Sequence, residues 1–306
     1  MASLSERVAA VKARGRDLTT HYRVRWLWLD HLIRSVQRYQ IQFGDRLAGA
    51  VTYFAFLSLF PLLALTFSVF GYVLADNAQA METLKAAVRE QLPGLADQLN
   101  IDAMAGARVS AGIIGLIGLL YAGLGAVAEL RGALREISMT TTPALNVVLG
   151  KLRDLVTLLL LGATMLVSVL VGGFATQATT VVSRFLGITE GAEAVLVLVG
   201  VVAGIAADWL IFLIILGWVA RPTQPFRILA KGALLGGIGF TALKQLAALL
   251  LSHTLNNPVY GTFAVTAGLL LWINFSARLT LFVASWTATS GCPPPPSPSP
   301  PPAGGF

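Results

Sequence analysis

Long uncharged stretches alternate with short charged ones along this chain. From Leu47 to Val73 no side chain carries a charge. At about 1.5 Å per residue, that run exceeds a hydrocarbon core of roughly 30 Å. It predicts a membrane-spanning helix over 47–73, entered from the Asp45-Arg46 step. Apolar runs of similar length predict five more spans, at about 109–128, 155–175, 194–220, 228–251 and 262–287. The expected fold is therefore an all-α integral membrane protein, a bundle of six transmembrane helices over 47–288. Pro61 lies inside the first span, where it removes a backbone donor and predicts a kink that can act as a hinge. Tyr53, Ser58 and Thr66 offer polar groups that either re-satisfy the freed carbonyl or line a polar interior.

The flanking segments read differently. Residues 1–25 are a basic tail with no apolar stretch, so no cleavable signal peptide is expected and the first span serves as the insertion signal. Residues 26–46 place Trp26, Leu29, Ile33 and Val36, and also Leu32, Val36, Tyr39 and Phe43, at helical spacing, with Arg34, Arg38 and the glutamines opposite. Such a basic amphipathic helix suits the membrane interface; the alternative is a helix that caps the bundle. Residues 76–108 carry Leu84, Val88, Leu92, Leu95 and Leu99 around Pro93-Gly94, which predicts a short helical loop outside the membrane. The tail 289–306 is rich in proline and is expected to be disordered or extended.

Composition agrees with the pattern: 56% of residues are hydrophobic and 12% charged, outside the range of soluble domains. The net charge of +7 is explained by topology. Segments 1–46, 131–153 and 221–231 hold nine, four and three Lys or Arg residues, against three, one and none in 76–108, 176–193 and 252–260. Both termini are thereby placed in the cytoplasm, and no nucleic-acid partner is needed. Cys292 is the single cysteine, and His21, His31 and His253 have no metal-ligand spacing, so neither a disulfide framework nor a metal site is expected. No phosphate-binding glycine loop is present, and no cofactor is expected.

The informative chemistry is charge inside the spans. Asp208, Lys244 and Arg278 are the ionisable groups well within them, and each costs about 2.5–3.5 kcal/mol to insert unless paired or hydrated. Helical rise puts Asp208 about 21 Å and Arg278 about 24 Å from the outer starts of their spans, and Lys244 about 10 Å from the outer end of its own. Asn274 sits one turn before Arg278. Asp208 is thus expected to pair with Arg278, with Lys244 facing an outward cavity or the outer headgroups. That pair is either a device fixing helix register or part of a substrate path through Asp208, Lys244, Asn274 and Arg278. Glycines at 112, 115, 118, 123 and 125 give the second span a smooth face, and Gly200/Gly204 and Gly232/Gly236 have GxxxG spacing.

Three stretches resemble the YihY/BrkB family of membrane proteins. AGAVTYFAFLSLFPLLAL matches that family's first-span signature at Tyr53, Ser58, Phe60, Pro61 and Leu62. PVYGTFAVTAGLLLWINFSARLTLF resembles its closing helix through Tyr260, Gly261, Leu271 and Trp272, and KGALLGGIGFTALK its fifth-span entry. The wording of the closing helix is similar to the actinobacterial, YhjD-like branch. Where the family commonly ends in Gly-Ala-Glu, this chain reads Val283-Ala284-Ser285-Trp286, so no role is carried over from that glutamate. The resemblance implies a multi-pass protein of the bacterial cytoplasmic membrane, linked to virulence and to envelope lipid export. It also carries an inherited ribonuclease label, for which the short soluble segments offer no site. The expected function is a non-enzymatic transporter or flippase-like protein for a lipid or amphiphilic envelope component. The competing reading is a non-transporting envelope scaffold. Membrane lipids are the expected partners, and a homo-oligomer is left open.

Overall fold

The computed structural model describes residues 23, 25–73, 108–140, 146–164, 191–220, 224–254 and 261–291. Every element in these ranges is helical: α1 (Leu27–Ile41), α2 (Gly44–Val73), α3 (Arg108–Ser138), α4 (residues 147–164), α5 (Gly191–Leu213), α6 (Phe226–Thr254) and α7 (Gly261–Thr289). α5 continues without a break into a π-helical segment, Ile214–Val219. Four windows are long and apolar enough to cross a membrane: Gly44–Thr66, Gly112–Ser138, Phe226–Ala247 and Thr266–Thr289. The expected third span is described only to residue 164, and the fourth contains a shorter apolar helix, Gly204–Val219. The expected helical loop at 76–107, Tyr260 and the proline-rich tail lie outside the described residues.

Chain-adjacent helices form antiparallel pairs, and glycine decides how closely they approach. Gly115 of α3 faces the backbone of α2: a Cβ there would lie 2.8 Å from the Leu65 nitrogen and 3.1 Å from the Pro61 oxygen. Gly112, Gly118 and Gly125 meet Ser68, Pro61 and Phe54 in turn, so one face of α3 seats α2 along its length. Gly123 points elsewhere, to Leu158 of α4, which splits the expected five-glycine face between two neighbours. The second pair, α5 with α6, closes where Gly237 meets the Trp209 backbone and Gly236 meets the Phe212 ring, while Gly232 faces Thr287 of α7 most closely. Gly204 has nothing within 4 Å, so its GxxxG spacing carries no contact among the described residues.

The last helix joins these pairs. α7 touches α6, α2, α1 and α3. Gly239 lies against Leu279, Phe240 against Trp272 with centroids 5.7 Å apart, and Asn274 donates to Thr52 Oγ1 at 3.1 Å. The buried core gathers at the end shared by the start of α2 and the ends of α3 and α7, around Leu134, Ile137, Leu216, Val219, Leu281 and Val283. Apolar side chains farther along, such as Ile114, Ile117 and Tyr121, are exposed, as expected of a lipid-facing surface.

Pro61 does not end α2, which runs on to Val73. The hydroxyls expected to compensate it act locally instead. Ser58 donates to Ala55 O and Thr66 to Leu62 O, at 2.7 and 2.8 Å, while Tyr53 is exposed and edge-on to Phe54. Helix geometry explains this, because a serine or threonine hydroxyl reaches carbonyls three or four residues back.

α1 packs with its polar side inward. Asp30 and Ser35 are fully buried, whereas Leu27, Trp28, Ile41 and Phe43 are exposed. Asp30 pairs with Arg23 at 2.7 Å and with Arg34 one turn on. His31 Nε2 is 2.9 Å from the Trp286 carbonyl, Ser285 donates to Ser35 O at 2.6 Å, and Ser35 and Thr289 hydroxyls are 3.0 Å apart. The helix ends at Ile41, short of the expected 46. Phe43 at φ 52° turns the chain into α2, with Gly44 against the Tyr39 ring.

Candidate functional site

Two acid–base contacts were expected to be one. Asp208 does not reach Arg278. It is held within the α5–α6 pair, where Lys244 Nζ lies 2.9 and 2.7 Å from its two carboxylate oxygens and Thr241 donates to it at 2.8 Å. The Asp208 side chain is 4% exposed and that of Lys244 is 42% exposed. Packing explains the pairing: Gly237 brings α6 onto the α5 backbone at Trp209, and Thr241 and Lys244 follow one and two turns later on the same side. Lys244 therefore points back into the bundle rather than outward, its ammonium 5.3 Å from the Phe240 ring centroid.

Arg278 finds Asp45, at the start of α2, with Nε 3.5 Å from the carboxylate. Matching depths failed here because α7 continues about three turns beyond Arg278 to pack against α1. Arg278 is consequently level with the entry of α2. Both partners are largely open, at 44% and 67% exposure. Tyr39 completes the contact by donating its hydroxyl to Asp45 at 2.9 Å. Burial, this bond and the Asp45 charge push the Tyr39 phenol well above its usual range, only partly opposed by Arg278.

Tyr39, Asp45 and Arg278 form the polar end of a groove of about 440 Å³ whose walls include Leu243, Leu246 and Phe275. Helical rise orders it along the helices: Phe275 lies one turn from Arg278, and Leu243 and Leu246 lie about 6–10 Å from Gly239 in the same direction. A second depression, about 450 Å³, is bounded by Pro61, Phe60, Gly115, Gly118 and Tyr121 and has no charged group in its lining.

Of the other expected positions, Asn274 and Trp272 bind α7 to α2 and α6, Gly261 begins α7, and Pro61 and Tyr53 lie on α2. Asn274 sits one turn from Arg278, but its amide is engaged by Thr52. Two features had no sequence signal strong enough to find them. Asp154 is buried beside Arg131, 3.2 Å away, and Arg153 lies over Trp218 of the π-helical segment, 4.3 Å from its ring centroid. The π-helical turn sits where Arg153 also donates to the Trp218 carbonyl. Among the described residues no group of three or more His, Cys, Asp or Glu could hold a metal ion.

The sequence was also compared with known proteins. It is 31% identical over 272 residues to an uncharacterized protein of Dickeya dadantii, covering 85% of this chain and 83% of that one. It is 29% identical over 271 residues to the inner membrane protein YhjD of Escherichia coli, covering 85% and 80%. No solved structure matches it. The family model for virulence factor BrkB matches residues 35–293. With its long apolar helices and a match spanning most of its length, this chain is a multi-pass membrane protein and belongs to the virulence factor BrkB family.

Proposed function

We propose that the protein is a non-enzymatic transporter or flippase-like protein that moves a lipid or amphiphilic component across the bacterial cytoplasmic membrane. The observation that carries this reading is the Asp208–Lys244 pair, an acid and a base inside the apolar part of the bundle with one partner still half-open. A carboxylate and an ammonium there cost insertion energy that a purely apolar pair would avoid, and such groups commonly mark transport paths. Thr241 supplies a further hydroxyl beside the pair, and the glycine-lined α5–α6 contact offers a smooth surface along which helices slide. In this reading six spans cross the membrane with both termini in the cytoplasm, and α1 lies in the inner interface with Trp26, Trp28 and Ile41 among lipid.

The test is translocation of a headgroup-labelled lipid in proteoliposomes, comparing wild type with Asp208→Asn at matched reconstitution and matched melting temperature. Faster exposure of inner-leaflet label by wild type alone is the expected result. Equal rates in wild type and empty vesicles, across neutral and anionic lipids, would sink the proposal. One observation favours a scaffold instead: the outward apolar face of α1, which could engage a partner without any flux. Envelope defects on deletion without measurable translocation would support it.

A further inference from the structure

We infer that the groove at Arg278 is a binding site for a membrane phospholipid, with the phosphate on Arg278 and an acyl chain along Leu243, Leu246 and Phe275. Four observations on different parts of the molecule converge there. First, Arg278 lies level with Asp45, where the chain passes from the charged Asp45-Arg46 step into the apolar run of α2, a polar-to-apolar boundary of the kind that suits a lipid headgroup. Second, its guanidinium is only partly used. Asp45 takes the Nε side at 3.5 Å, and the guanidinium has no other polar partner among the described residues. Two terminal nitrogens remain for a bidentate phosphate contact, the geometry that suits arginine.

Third, Asp45 accepts from the Tyr39 hydroxyl, so the carboxylate is held in place at one edge of the guanidinium. Fourth, the groove changes character in the direction a lipid would require. Its polar groups gather at one end, and its apolar walls lie about one to two helical turns away along α6 and α7. A soluble anion would match the first end and waste the second. An amphiphile without a phosphate, such as diacylglycerol, would match the second and leave the terminal guanidinium nitrogens without an acceptor. The site stands apart from the Asp208–Lys244 pair, and its occupancy does not depend on transport.

Native mass spectrometry of the full chain, released from micelles with equal amounts of phosphatidylglycerol and diacylglycerol, tests this directly. Wild type is expected to retain phosphatidylglycerol over diacylglycerol by at least about tenfold, since a charge-assisted contact is worth about 1.5–3 kcal/mol. Arg278→Gln should bring that ratio close to one, and Leu246→Asp should lower total lipid retention. Arg278→Lys, which keeps the charge and loses the fork, should fall between, and it decides the matter if the glutamine variant does not fold. Asp208→Asn should keep the preference even if it abolishes translocation, which separates failure of this site from failure of the transport reading. Unchanged preference in either Arg278 variant overturns the inference, and so does displacement of the lipid by inorganic phosphate.

Discussion

The two acid–base contacts of this bundle differ in almost every physical respect. Asp208 and Lys244 belong to consecutive helices, meet at normal salt-bridge distance, share Thr241 and bury the carboxylate. Asp45 and Arg278 belong to the first and last long helices, meet loosely at 3.5 Å and remain open on one side. The first contact is nearly saturated by the protein. The second is left with donors to spare beside an apolar groove. The two cations are about equally open, at 42% and 44% exposure, so the difference teaches that exposure and saturation are separate properties, and that the cation held more loosely by its carboxylate is the better placed to take a ligand.

Substitutions can break this contrast at its strong end first. Asp208→Ala strands the Lys244 ammonium and the Thr241 hydroxyl; removing one partner of a fully buried pair costs about 3–5 kcal/mol, and the half-open ammonium should bring this to about 2–3. The check is a melting curve in mild detergent, and a loss equal to that of Arg278→Gln would erase the contrast. Gly237→Ala should come next, at about 1–3 kcal/mol, because the new methyl meets the Trp209 backbone, which cannot rotate away as a side chain could. If the α5–α6 approach really sets the pair, this variant should also weaken the effect of a subsequent Asp208 substitution in a double-mutant cycle.

Arg278→Gln should cost under about 1 kcal/mol of stability, the range for exposed pairs, even as it removes lipid preference. The smallest effect concerns pH. The Tyr39 phenol is raised in the folded protein, so the folded state keeps its proton above pH 10 while the unfolded chain releases it. Stability owed to this group is therefore flat below about pH 10 and declines as pH rises past it. Tyr39→Phe should remove that alkaline decline in the melting temperature and lower the neutral plateau only by what the lost hydrogen bond to Asp45 contributes.

Much of the fold could be read along the chain because a membrane helix needs only length and apolarity. The run after Asp45 gave α2, and Gly232 and Gly236 mark close approaches, the first to α7 and the second to α5. Charged residues are less informative near helix ends. The second span is expected over 109–128, and α3 continues beyond it to Ser138, where Arg131 and Glu136 meet Asp154 and Arg46. That Arg278 meets Asp45 and not Asp208 was not legible, because the final turns of α7 look like the rest of its apolar run. Those turns carry Ser285 and Thr289, whose hydroxyls serve the contact with α1.

By itself the sequence determined that the chain is helical, that it enters a membrane, and where the apolar runs and the intramembrane charges lie. These follow from local properties: hydropathy summed over about 20 residues and the fixed rise of a helix. Tertiary structure alone decided which charges meet, which face of α1 turns inward, and that Arg278 opens onto a groove. Those outcomes depend on the rotation and axial offset of one helix against another. Offsets are set by glycine contacts and by where α7 runs past its neighbours, and no single segment carries that information.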